Sequence, residues 1–190
     1  MNNKAKSVIH WHYRIRSLAE GAILIALAEI LSFLPFYKLP WGGSIDLAML
    51  PIIIACVRWG FGPGMLVSTA HALLQTLFEG GIAIGWQSIV GDFLLAYMVL
   101  GVAGLFRGKF APAAIVACGL RFAVHYVVGA TIWAEYMPER FFGMTMTTPW
   151  IYSALYNGAY MLPDLLLVLI AGFLLLQTPA RKFLTGQDLQ

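Results

Sequence analysis

The sequence predicts an all-α integral membrane protein: about six transmembrane helices in one bundle, N-in/C-in. Three observations lead there. Hydrophobic residues make up 60% of the 190 residues and charged residues only 11%, against roughly 25% charged in a soluble domain. The apolar residues fall into runs of transmembrane length, parted by Gly, Pro and charged breakers. The cationic residues gather at alternate ends of those runs. A disordered chain would be poor in aromatics, whereas 14% of this one is aromatic.

Residues 1–190 read as a single transmembrane domain, because six spans with short loops use up the length. The first helix is predicted over residues 17–36, ending near Pro35. Lys4, Lys6, Arg14 and Arg16 precede it, as in a signal peptide, but the apolar run continues through Leu34 and is too long for a cleaved segment. A loop rich in Gly, Pro and aromatics follows, with Trp41 in it. The second helix covers 45–58 and ends at Arg58-Trp59-Gly60; it is short enough to be tilted or partly spanning. The third covers 62–79, with Pro63 in its first turn. The fourth covers 84–106, the fifth 111–134, and the sixth 150–177 after a longer loop.

Charge orients the set. With the N-terminus inside, the inner ends hold Lys4, Lys6, Arg14, Arg16, Arg58, Arg107, Lys109, Arg181 and Lys182, and the outer loops only Lys38 and Arg140. That asymmetry fits both termini inside and an even number of spans. The net charge of +3 is therefore a topology signal and not a nucleic-acid surface. Cys56 and Cys118 lie in apolar runs at no metal-ligand spacing and read as packing residues.

Ionisable residues at membrane depth are functional candidates. Asp92 lies about 12 Å below the outer end of the fourth helix at 1.5 Å per residue. His125, Gly129 and Trp133 share one face of the fifth helix, in its outer half. Tyr152 and Asn157 enter the same outer third from the sixth. Three helices thus bring an acid, an imidazole, an indole, a phenol and an amide to one depth. Two readings fit: a pocket open to the outside, or interhelical hydrogen bonds with an aromatic belt. Arg121 and Asp164 lie deeper and read as an ion pair. Glu20 reads as facing the headgroups. Glu29, Asp46 and His71 receive no assignment.

Several chemistries have no motif. There is no phosphate-cradling G-x-x-x-x-G-K-[ST] loop, no H-E-x-x-H, no G-x-S-x-G and no paired-cysteine metal site. No cofactor or metal is expected, and an intramembrane hydrolase has little support. Ala22-x-x-x-Ala26 is a small-xxx-small pattern that lets another helix approach closely.

Three stretches carry a family resemblance: Val102 to Arg107; His125, Gly129 and Trp133; and Pro149 to Ser153 running on to Tyr156 and Asn157. In order and spacing they resemble the thiamine-specific S-component of energy-coupling factor (ECF) transporters. The similarity covers nearly the whole chain and is strongest over 85–165. It implies a six-helix S-component bundle in the cell membrane of a prokaryote. The implied role is to bind thiamine from outside and dock, within the lipid bilayer, on an ECF coupling module of one transmembrane protein and two ATPase subunits. It further implies that the chain is a transport subunit and no enzyme, with ATP hydrolysed by its partners. The family's binding residues fall on Trp41, Asp92, Phe93, His125, Gly129, Trp133, Tyr152 and Asn157, and its docking face on Ala22 and Ala26. Two positions depart from the family pattern. Phe93 lacks a phenol hydroxyl, and an aromatic before the fourth helix is replaced near Ile82, with Trp86 as a candidate substitute. An S-component for another vitamin or a thiamine precursor is the alternative within the class; an intramembrane enzyme is the alternative outside it.

Overall fold

The computed structural model describes residues 3–189. Its main elements are helices: α1 (Asn3–Phe33), α2 (Met49–Trp59), α3 (Phe61–Glu79), α4 (Trp86–Phe106), α5 (Phe110–Thr131), α6 (Pro149–Leu176) and the short α7 (Arg181–Leu184). Two small hairpins join them at one end of the bundle. One pairs β1 (Tyr37–Lys38) with β2 (Ser44–Ile45), the other β3 (Arg140–Phe141) with β4 (Met144–Thr145).

The helix α2 forms the centre. All eleven of its residues are buried, and apart from Arg58 in its last turn they are apolar all round rather than on one stripe. At 1.5 Å per residue it is only about 16 Å long, short of a 30 Å hydrocarbon layer. Gly60 alone joins α2 to α3, with φ at 85°, a left-handed conformation that costs glycine little. The other helices wrap this core through small residues. Ala113, Ala114 and Ala117 of α5 are fully buried. A Cβ on Gly104 would lie 2.6 Å from the backbone of Gly60 and Phe61, so α4 approaches the α2–α3 turn at backbone contact.

By length and composition, α4, α5 and α6 are each able to cross a membrane. On α6, Leu162, Leu166, Ile170 and Phe173 repeat at helical spacing and are about 60% exposed, a stripe that suits hydrocarbon. At the head of α6 the Thr148 hydroxyl accepts the Ile151 N–H and Pro149 takes the first turn, the usual start signals.

Several sequence expectations resolve differently. The helix α1 begins at Asn3, well before residue 17, because its polar first turns continue the helix outside the apolar run. Arg121 and Asp164 form no ion pair: the Arg121 guanidinium lies 4.3 Å from the centroid of the Tyr97 ring, and Asp164 Oδ1 accepts the Asp46 N–H at 2.9 Å. Glu20 turns inward to Arg58 and Trp59. Asp46 accepts from the Ser44 hydroxyl and the Ala48 N–H, capping the approach to α2.

Candidate binding cavity

A cavity of about 790 Å³ lies between α4, α5 and α6, against the β1–β2 hairpin. All eight residues expected to bind ligand line it: Trp41, Asp92, Phe93, His125, Gly129, Trp133, Tyr152 and Asn157.

Local structure explains how α4 contributes two of them. Its Ile89–Leu95 stretch is π-helical. A π turn inserts an extra residue into the helix, and such bulges are common at functional sites. This turn carries Asp92 and Phe93. Asp92 is the hub of the upper wall. Its Oδ1 lies 3.0 Å from His125 Nδ1. Its Oδ2 accepts Trp133 Nε1–H at 2.7 Å and the Ser88 hydroxyl at 2.9 Å. An acceptor-only carboxylate matches this set. With Asp92 ionised, His125 carries its proton on Nδ1 and presents Nε2 as an acceptor. That Nε2 is buried and has no protein partner.

The α5–α6 side is built for close approach. A Cβ on Gly129 would overlap the Ser153 hydroxyl and come within 3.3 Å of the Asn157 amide nitrogen. The Ser153 hydroxyl donates to the Tyr126 carbonyl at 2.8 Å. Asn157 donates to the His125 and Ser153 carbonyls and accepts the Tyr160 hydroxyl at 2.9 Å. Asn157 therefore braces the turn that carries His125 as well as facing the cavity.

Trp41 ties the hairpins together over the opening. Its ring meets Phe141 and Phe142 edge-on at 5.2 and 5.1 Å, and its carbonyl accepts the Tyr156 hydroxyl at 3.1 Å. Tyr152 packs edge-on against Phe141 at 5.1 Å. Such aromatic pairs are favourable beyond the area they bury.

The lining holds four acids, Asp46, Glu79, Asp92 and Asp164, and two bases, Lys38 and Arg121. An aromatic cavity with a carboxylate in its wall favours a flat cationic ligand. Lining residues not named from the sequence as ligand-facing include Tyr97, Arg121, Tyr136 and Tyr160. Tyr136 packs 5.6 Å from Trp133; its place one turn beyond Trp133 was the available signal. Trp86 is 70% exposed and is not among the lining residues, so it does not replace an aromatic of the cavity. Among the described residues no cluster of His, Cys, Asp and Glu is arranged to hold a metal.

The chain is 29% identical over 182 residues to the thiamine transporter ThiT of Bacillus subtilis, covering 86% of this chain and 92% of that protein. It is 24% identical over 191 residues to ThiT of Lacticaseibacillus paracasei, covering 88% and 90%. A solved structure of ThiT from Listeria monocytogenes superposes with a TM-score of 0.76 at 24% identity, over 90% of this chain and 98% of that one. The profile of the thiamine transporter protein (Thia_YuaJ) family matches residues 18–184, and the chain belongs to that family.

Proposed function

We propose that this chain is the thiamine-binding S-component of an ECF-type uptake transporter. In this reading it is a single six-span domain in the cell membrane of a prokaryote, with both termini inside. It captures thiamine from outside and delivers it inward when docked on an ATP-driven coupling module. The observation that carries the reading is the Asp92–His125–Trp133 group in the wall of an aromatic cavity.

Thiamine suits that wall. Its thiazolium is a permanent cation, favoured beside a carboxylate and over an indole where water is excluded. Its aminopyrimidine offers an exocyclic N–H donor and ring-nitrogen acceptors to the polar wall and a flat ring to the aromatics. Trp41, in the cavity lining, links the two hairpins beside it. Ala22 and Ala26 are exposed on α1, available to a partner helix that needs close approach.

Uptake of labelled thiamine tests the reading. Cells without their own thiamine carrier should accumulate label only when they express both this chain and a coupling module. Accumulation without the module overturns the S-component role. Ala22→Trp should abolish uptake and spare binding by the isolated protein; normal uptake by that variant removes Ala22 from the docking face.

A further inference from the structure

Two polar clusters outside the cavity hold α1. The first surrounds Arg58, whose side chain is fully buried. Arg58 Nε and Nη2 donate to the two oxygens of Glu20 at 2.5 and 3.0 Å. Nη1 and Nη2 donate to Asp188 at 2.5 and 2.9 Å. Trp59 and Arg16 also donate to Glu20, at 3.0 and 2.8 Å. The charges balance: Arg16 and Arg58 against Glu20 and Asp188. The second cluster is Glu29, whose Oε1 lies 2.7 Å from His71 Nδ1 and whose Oε2 accepts Gln75 Nε2–H at 2.9 Å. His71 and Gln75 are buried on α3, and His71 packs edge-on against Tyr97.

Glu20 and Glu29 are nine positions apart on α1, about 13.5 Å at 1.5 Å per residue. Neither lines the cavity, and Ser32 is the residue of α1 that does. Between the two acids, Ala22, Ile23, Ala26 and Leu27 are exposed. Rotating or sliding α1 would strip both carboxylates of their partners and leave the buried Arg58 guanidinium and the buried His71 and Gln75 side chains unmatched, which is costly.

We propose that Glu20 and Glu29 are positioning residues, two polar pins that fix the rotation of α1 and so present the surface between them to the coupling module. The proposal rests on the docking reading above. It makes the pins matter for docking and not for ligand recognition. The test uses the full-length chain with Glu20→Leu, Glu29→Leu and the milder Glu29→Gln and Asp188→Asn. Thiamine affinity of the purified variants, co-purification with a co-expressed coupling module, and uptake are measured together. Expected are thiamine affinities within about twofold of wild type, with co-purification and maximal uptake rate reduced at least about fivefold in both Leu variants and partly in the milder ones. Docking at the wild-type level in the Leu variants overturns the proposal. A parallel loss of thiamine affinity in all four variants also overturns it, since the clusters would then hold the whole bundle. Failure of the wild-type chain to co-purify with the module would instead refute the docking reading.

Discussion

Replacing Asp92 by Asn keeps the side-chain volume and removes one negative charge. Asp92 Oδ2 accepts from both Trp133 and Ser88, at 2.7 and 2.9 Å. In the Asp92→Asn variant the amide oxygen would take that double-acceptor place, which turns the amide NH₂ toward His125 Nδ1, now 3.0 Å from Oδ1. His125 must then accept at Nδ1 and carry its proton on Nε2, which inverts the donor–acceptor pattern of the ring beside the cavity. One charge-assisted hydrogen bond contributes about 1.5–3 kcal/mol, so thiamine affinity should fall by about tenfold to a hundredfold. Isothermal titration of the purified variant measures this. The pyrimidine fragment of thiamine separates the two causes. Loss of charge penalises the cationic ligand alone, whereas inversion of the His125 tautomer penalises both. An unchanged dissociation constant for thiamine would refute the argument and remove Asp92 from the site.

Trp133→Phe should quench most of the fluorescence response to thiamine, and a response unchanged in this variant would point to another of the six tryptophans. Gly129→Ala should push α5 from α6 at Ser153 and Asn157, costing about 1–3 kcal/mol of stability as overpacking does; a melting temperature and affinity equal to wild type would refute the close-approach role. Hydrogen bonds from Arg58 hold the Asp188 carboxyl well below the usual carboxylate range. A depressed value adds stability above the unfolded value of about 3.9, lost only as pH falls through the lower folded value. The melting-temperature gap between wild type and Asp188→Asn should therefore be constant from pH 8 to about 5 and shrink below about 4. A gap that closes at pH 6 would contradict the ion cluster.

The cavity was more legible in the sequence than the clusters that hold the bundle. That Asp92, His125 and Trp133 share a depth follows from a rise per residue and an alternating topology, both local properties of a helix. The family resemblance added Phe93 and Trp41, which depth arithmetic does not reach. The bond from Trp133 to Asp92 spans 41 positions and the contact from His71 to Glu29 spans 42. No spacing rule encodes such pairings. For the same reason Arg58 and Glu20 read as topology and headgroup charges, because their place at helix ends fits that pattern equally well. The π turn around Asp92 leaves no trace in the apolar periodicity, and Arg121 finds a Tyr97 ring instead of Asp164, a choice that only the packed arrangement decides.

Titration of the purified chain with thiamine is the most direct test. The cavity chemistry predicts saturable one-to-one binding without turnover of the ligand, tighter for thiamine than for either its neutral pyrimidine or its thiazolium fragment, because the intact molecule engages the polar wall around Asp92 and His125 and the aromatic walls together. Absence of saturable thiamine binding, or chemical conversion of thiamine during the titration, would contradict it.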